Sequence, residues 1–258
     1  MILYIQYLKA YFMSISQYKK SAILTIIGQF LTSLFSLLGI NFLFSQFNSL
    51  GGFTYEEILL CYSNITFAFS LAEFFARGFD TFPYLISDGR FDRILLRPRG
   101  AILQILGATF EISRLGRLFQ AILIYIWVLP RSKIVWNFFN IFVLLEIQIC
   151  GFVLFVSLFI LYATICFFTT QGLEIFNIFT DGSREFGKYP FAVYGDKVLK
   201  IFTYVVPVAC IQYYPISYLT GKTGNMLYAF TPLFVIPYTV LVVIFWKIGV
   251  KKYTSTGS

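Results

Sequence analysis

The chain has 258 residues, of which 58% are hydrophobic and 12% charged, and its mean hydropathy is +0.77. This composition excludes an ordinary soluble domain, and the absence of histidine removes the usual ligand for a metal site and the usual base for catalysis. A helix of about 20 apolar residues crosses ~30 Å of hydrocarbon, and the apolar runs reach that length. We therefore predict an all-α polytopic membrane helix bundle in which residues 1–258 form a single domain, with a net charge of +8 that reflects membrane topology and not nucleic-acid binding.

The first segment, Met1–Lys20, is predicted to be an amphipathic helix that lies on the membrane surface. Its apolar stripe consists of Tyr4, Leu8, Tyr11, Ile15 and Tyr18. The competing interpretation is a cytoplasmic extension of the first span. A cleavable signal is not expected, because about 20 residues precede the first apolar block and that block is too long for a signal core.

Five apolar segments have the composition of membrane spans. They are Ala22–Phe44, Ile58–Ala76, Leu115–Leu129, Phe138–Phe168 and Leu227–Trp246. A sixth membrane segment falls between Thr169 and Asn225, where the sequence allows two interpretations. Both give six membrane segments with the two termini on the same face.

In the first interpretation Ile201–Leu219 is the fifth span, and Thr169–Lys200 is a cytoplasmic loop whose basic residues obey the positive-inside rule. In the second, Thr164–Phe186 crosses the membrane and 201–219 is a broken, re-entrant element on the outer side. Pro207 and Pro215 favour the second, because proline removes a backbone hydrogen bond. Charge at membrane depth counts against it. The charged residues concerned are Glu174, Asp181, Arg184 and Glu185.

The segment Arg77–Arg99 is the most basic stretch of the chain, and short basic loops stay in the cytoplasm. Lysines near both ends of the chain share its side, so both termini are predicted to be cytoplasmic. Within this loop Leu95 and Leu96 stand among arginine and aspartate, which predicts a short amphipathic element. It would either bind anionic lipid or dock a cytoplasmic partner.

Few residues indicate a catalytic, metal-binding or nucleotide-binding site. Gly221-Lys222-Thr223 lacks the upstream glycine of a phosphate loop, since Ile216 occupies that position. The four cysteines lie in apolar surroundings without metal-like spacing. Charged residues in or near the spans are expected to pair locally, as Glu73 with Arg77 and Glu111 with Arg114, or to act in gating. We expect no enzyme activity, no cofactor and no metal.

The loop carries Gly89, Asp92, Leu95, Leu96, and then Arg97-Pro98, and here the sequence resembles the permease subunits of ABC-2-type exporters. A second resemblance is a proline-rich run before the last span. It comprises Tyr189-Pro190, Val206-Pro207-Val208, Tyr213-Tyr214-Pro215 and Leu219-Thr220-Gly221-Lys222. The resemblance follows the spans over nearly the full chain.

The resemblance implies a six-span permease of a bacterial-type inner membrane, without its own ATPase domain. It would dimerise with itself or a related permease, bind two copies of a cytoplasmic ATP-binding subunit and export a substrate. It also implies the second interpretation of 169–225. The coupling loop would comprise Asp88, Gly89, Arg90, Asp92, Arg93, Leu95, Leu96, Arg97 and Pro98. The outer re-entrant region would contain Pro190, Pro207, Tyr213, Tyr214 and Pro215. A secondary transporter and a non-transporting membrane assembly factor are the alternatives.

Overall fold

The computed structural model describes residues 2–169 and 177–255. The protein is 79% helical, and the described residues form no β-strand, which confirms the all-α prediction. The α-helices are α1 (Ile2–Gln17), α2 (Lys19–Gln46), α3 (Tyr55–Asp80), α4 (Phe82–Ser87), α5 (Arg90–Leu95), α6 (Ala101–Leu106), α7 (Leu115–Val128), α8 (Phe138–Ile165), α9 (Ser183–Gly187), α10 (Asp196–Tyr204), α11 (Val208–Ile211), α12 (Tyr213–Leu219) and α13 (Val235–Lys252).

Within the described residues, four helical stretches are long and apolar enough to cross a membrane, or five if one bent pair is a span. The four are Lys19–Gln46, Tyr55–Ser87, Phe138–Ile165 and Met226–Lys252. Each contains or closely overlaps a predicted span. The predicted third span coincides with α7, which has 14 residues and is extended at its start by the 3₁₀ turn Ile112–Arg114. Alone, α7 rises only about 21 Å, so it is shorter than the other four.

Helix α3 forms the centre of the bundle. The most apolar part of Tyr55–Ser87 is 83% buried within the protein, against 11% for α2. Close approach of α3 and α8 explains part of this burial, because a Cβ at Gly151 would lie only 2.8 Å from that of Ala68. Nearby, the ring of Phe69 meets Phe155 edge-on at 5.0 Å. Small and aromatic side chains thus interlock the two helices.

Helix α1 is separate from α2, because Tyr18 has non-helical backbone angles of φ −121° and ψ 40°. Four residues of the predicted apolar stripe are partly buried, namely Tyr4, Leu8, Tyr11 and Ile15, whereas Tyr18 is 70% exposed. The Tyr4 hydroxyl donates to the Phe75 carbonyl at 3.0 Å, and the Tyr11 hydroxyl accepts from the Ile112 amide at 2.9 Å. Burial raises the pKa of Tyr4 to about 12, so this phenol stays a neutral donor.

Helices α1 and α4–α6 gather with the C-terminus at one end of the bundle, which we call the basic end. The ring of Tyr253 lies 5.0 Å from Phe91 on α5, and the Ser255 hydroxyl donates to Asp92 at 2.5 Å. The other end carries the α2–α3 turn at 47–54 and is called the far end. Both described chain ends therefore lie at the basic end.

The predicted crossing segment Thr164–Phe186 lies partly outside the described residues, which stop at 169 and resume at 177 with the π-helical turn Ile178–Gly182 and α9. This described part runs along α3 toward the far end. Arg184 lies 4.9 Å over the Phe69 ring, and Lys188 lies 5.9 Å from the Tyr62 ring, which is closer to the start of α3.

The stretch 201–219 is not one straight span. The helices Asp196–Tyr204 and Val208–Leu219 meet at 87°, and Pro207 stands at the break. Both flanks of this bent pair adjoin the 47–54 turn. Val193 packs against Gly51, and the Lys222 ammonium donates to the Gly52 carbonyl at 2.7 Å. A bent pair of this kind is a broken span or a re-entrant loop. Because both of its flanks lie at one end, it fits the re-entrant prediction, and we call it the re-entrant element.

Candidate functional site

A polar cavity of about 750 Å³ opens between α2, α3, the start of α7 and the 177–188 segment. We call it the charged cavity. Its charged lining residues come from all these elements except α2, which contributes amides and hydroxyls. They are Glu73, Arg77, Asp80, Arg114, Arg117, Asp181, Arg184, Glu185 and Lys188. So many ionisable groups within an apolar bundle mark a functional site, because each would be costly in lipid alone.

One buried carboxylate stands at the centre of the charged cluster. Glu73 is 2% exposed, and its two oxygens lie 3.6 Å from Arg77, 3.3 Å from Arg114 and 3.3 Å from Arg117. Arg77 is shared with Asp80 and, at 2.9 Å, with Glu111. The contacts to Glu73 are longer than tight charge-assisted hydrogen bonds of about 2.8 Å. The ion pairs around Glu73 are therefore loose.

The opposite wall of the charged cavity comes from the segment that follows α8. Arg184 pairs with Glu185 at 2.8 Å and with Asp181 at 3.4 Å, while Lys188 pairs with Glu185 at 2.6 Å. Lys188 also reaches the Ser36 hydroxyl on α2 at 3.4 Å. The acidic side chains of Asp181 and Glu185 are more than half exposed, at 54% and 52%. Most of their charge is consequently solvated.

The local pairs expected from sequence are present, with Glu73–Arg77 at 3.6 Å and Glu111–Arg114 at 3.4 Å. Sequence reasoning missed that α3, α7 and the 177–188 segment bring their charges into one cavity. Spacing along a helix predicts neighbours three or four residues apart, but nothing in the sequence tells which helices face one another. The polar run at 181–185 is the signal in the sequence that could have indicated this cavity. Read from the sequence alone, it counts instead as evidence against a crossing segment.

The predicted coupling loop forms a compact cap at the basic end. Gly89 adopts φ +63°, a left-handed conformation that favours glycine, and this reverses the chain between α4 and α5. Arg90 pairs with Asp88 at 2.7 Å, and Asp92 accepts from Ser255. Gly89 and Asp92 are half-buried, while the other predicted members are exposed. The exposed members are Asp88, Arg90, Arg93, Leu95, Leu96, Arg97 and Pro98.

The loop has an inner and an outer face. Phe91 is fully buried in an aromatic cluster with Phe82, Phe167, Trp246 and Tyr253, at centroid distances of 5.0–6.4 Å. On the outer face Leu95 is 41% exposed and Leu96 is 84% exposed, so two apolar side chains project from a firmly packed base. Trp246 and Tyr253 belong to α13 and its C-cap, so this packing joins the loop to the last span.

The predicted re-entrant residues all lie at the far end, in or beside the bent pair. Pro190, Pro207 and Pro215 are buried, and Tyr213 and Tyr214 are half-buried. Tyr213 packs against Phe53 at 6.2 Å, next to the 47–54 turn. Tyr214 shares a hydrogen bond of 3.0 Å with Thr203 on α10.

A polar network inside the bundle holds the apex of the re-entrant element. The Asn64 amide on α3 donates to the Ile211 carbonyl at 2.9 Å, and its oxygen accepts from Tyr125 at 3.2 Å and Gln148 at 2.5 Å. The Thr231 hydroxyl donates to the Cys210 carbonyl at 2.9 Å. Such bonds satisfy backbone groups that a bent segment would otherwise leave unpaired in the membrane.

A bundle of long apolar helices around a charged cavity, with an exposed cap at one end, defines a multi-pass membrane protein. Residues 30–257 match the family model described as ABC-2 family transporter protein, and the chain belongs to that family. It is thus a membrane permease of an ABC-type transporter and not itself the catalytic component. No curated protein and no solved structure matches the chain.

Proposed function

We propose that this chain is the permease subunit of an ATP-driven exporter, and that the loop at 82–99 couples it to a separate ATP-binding subunit. The observation that carries the proposal is the two-faced loop, in which Phe91 is fully buried while Leu96 is 84% exposed. A surface that only attracted lipid headgroups would need charge but no fixed apolar projection. Exposed leucines on a rigid base fit a protein groove instead.

The same packing offers a route from the loop to the charged cavity. Helix α4 follows α3 after one residue, Thr81, so a push on the loop acts directly on the end of α3. Ala76 has non-helical angles of φ −122° and ψ 16°, which place a kink between Glu73 and Arg77. Movement at this kink would change the spacing of the cluster around Glu73. The aromatic cluster would carry the same movement to α13.

In this mechanism ATP supplies energy only through its different affinity for two states of the complex. ATP binding draws the ATP-binding subunits together, the loop transmits the motion, and the charged cavity alternates between the two membrane faces. This chain lines the path and performs no covalent chemistry. Direction of transport is outward in the proposal, with both termini cytoplasmic and the far end outside.

We also propose that a second permease, identical or related, packs beside this one in a bacterial-type inner membrane. Helix α2 supports this, because only 11% of its most apolar part is buried within the chain. Exposed residues along it include Leu24, Leu31, Phe35 and Phe42. These can face lipid or a partner helix without cost.

The test exchanges two loop charges without changing net charge. The full chain carrying Asp92→Arg with Arg93→Asp is purified from its native membranes, and the retained ATP-binding subunit is quantified by ATP photolabelling. We expect loss of co-purification and of transport, because a docking surface depends on register and not on total charge. Leu96→Asp is expected to do the same through the apolar contact.

The matched control is the same exchange at the far end, Asp196→Lys with Lys197→Asp, where both side chains are exposed. This variant should retain the ATP-binding subunit. If all three variants retain it and still transport, the loop does not couple. If the unmodified chain transports without any ATP-binding subunit, it is a secondary transporter. If the unmodified chain binds the ATP-binding subunit but moves no substrate, the result supports the alternative of a non-transporting membrane assembly factor.

A further inference from the structure

The deep part of the charged cavity carries an excess of positive charge. Among its charged lining residues, those whose side chains are less than one-fifth exposed comprise four cations and two anions. The cations are Arg114, Arg117, Arg184 and Lys188, and the anions are Glu73 and Asp80. Buried charge in a membrane protein normally finds a partner of opposite sign. Arg184 and Lys188 already pair with the half-exposed Glu185. The under-satisfied donors of the cavity are therefore those of Arg114 and Arg117.

Two of these arginines have donors to spare. Arg117 has one ion-pair partner among the described residues, Glu73, at 3.3 Å, and its Nε makes no hydrogen bond. The Nε of Arg114 lies 3.3 Å from a Glu73 oxygen without forming a hydrogen bond, and its other guanidinium contacts, to Glu111 and Gln29, are both 3.4 Å long. A guanidinium offers five N–H donors in a planar fork that matches phosphate and carboxylate oxygens. The Nε donors of both forks therefore lack a hydrogen-bonded acceptor among the described residues.

Hydroxyl groups continue the lining toward the far end. Tyr62 and Ser33 share a hydrogen bond of 2.8 Å, and the buried Thr66 hydroxyl lies beside Tyr62. Thr32 and Ser36 on α2 also line the cavity. A volume of about 750 Å³ holds a group of small-molecule size. Arginines in the deep part of the cavity and hydroxyls toward the far end fit a phosphate that carries a polyhydroxyl group.

From this arrangement we propose that the charged cavity binds a phosphate-bearing polar group of the transported substrate, with Arg117 and Arg114 as its principal ligands. The proposal rests on the transport function above and specifies its substrate class. A phosphate is favoured over a carboxylate because its three free oxygens can accept from several guanidiniums at once. Glu73 acts as a competing internal anion, which occupies the arginines until the substrate replaces it.

The test measures binding to the full chain in maltoside detergent, which, unlike a phospholipid bilayer, carries no phosphate. One probe is glucose 1-phosphate, compared with glucose by calorimetry. The other is phosphatidylglycerol, compared with diacylglycerol by native mass spectrometry. Binding of either phosphate probe above its uncharged counterpart supports the site and tells whether the group comes from a soluble or a lipid molecule. Absence of preference in both arms overturns the proposal.

Variants assign the binding to these residues. Arg117→Gln should weaken binding of the active probe about tenfold or more, since it removes a charged donor. Glu73→Gln should strengthen binding, because it removes the competing anion, whereas a purely structural Glu73 would give weaker binding. Arg131→Gln is the matched control, because Arg131 lies over the Trp127 ring, 4.4 Å from its centroid, outside the cavity lining. Equal binding in all variants contradicts the assignment.

Arg117→Gln leaves Glu73 without one partner and could prevent folding. The double variant Glu73→Gln with Arg117→Gln removes both charges together, and it should fold yet bind the probe more weakly than Glu73→Gln alone. Co-purification of the ATP-binding subunit is measured in parallel. If the subunit is retained while phosphate binding is absent in the unmodified chain, the substrate class is wrong and the permease function stands.

Discussion

The two ends of the bundle are built differently. At the basic end, the coupling loop exposes charges and two leucines over a buried aromatic base, so its outer face contributes little to folding. At the far end, the re-entrant element turns its prolines and apolar side chains inward and is tied to α3 by Asn64. In the proposed function one end contacts another protein, whereas the other end packs against its own bundle. The charged cavity lies between them.

The largest expected effect concerns which end of the bundle faces the cytoplasm, because the labelling at each end should be all-or-none. All four native cysteines are buried, so single cysteines can be introduced at Ser49 and Ser255. In intact cells an impermeant maleimide should label Ser49→Cys fully and Ser255→Cys only after lysis. The reverse pattern would put the basic end outside and remove the coupling role of the loop.

The two faces of the loop should differ sharply in their effect on stability. Phe91→Ala empties a fully buried position and should lower the free energy of unfolding by about 3–5 kcal/mol. Leu96→Ala, at an 84% exposed position, should change it by no more than about 0.5 kcal/mol. Thermal unfolding in detergent measures both. Similar losses in the two variants would mean that the outer face also belongs to the folded core.

The far end should loosen when its internal tie is cut. Asn64→Leu keeps the volume but removes the donor to the Ile211 carbonyl, at an expected cost of about 1–3 kcal/mol. Cys210, which is 3% exposed in the same element, should then react faster with a small thiol reagent. Cys166, which ends α8 near the basic end, serves as internal control and should keep its rate. Unchanged reactivity at Cys210 would show that Asn64 does not hold the apex.

The smallest effect is expected where the re-entrant element meets the 47–54 turn. Lys222 pairs with Glu57 at 2.8 Å and donates to Gly52, but its side chain is 27% exposed. Lys222→Gln should therefore cost only about 0.5–1 kcal/mol, and less at high salt because screening weakens exposed ion pairs. Melting curves at low and high salt compare the variant with the native chain. A salt-independent loss above this range would indicate a buried structural role.

Hydropathy was sufficient to predict α2, α3, α8 and α13, because each must match the thickness of the hydrocarbon. The sequence also indicated the two-faced loop, since Leu95 and Leu96 stand among charges. It could not predict the convergence of Arg184 on Phe69 or of Arg117 on Glu73. Those contacts depend on which helices pack together, and a positive-inside count treats Arg184 as a loop charge. Proline at 207 gave the better signal there, because a break follows from local chemistry.

The contact between Ser255 and Asp92 has a practical consequence for biochemists who isolate this protein. An affinity tag inserted directly after Ser255 would begin next to the hydroxyl that donates to Asp92, beside the exposed face of α5. Such a tag would crowd the proposed docking surface that a pull-down is meant to report. A detection handle inserted in the exposed 130–133 turn at the far end would leave α5 uncovered, and comparing yields of partner from the two placements is itself informative.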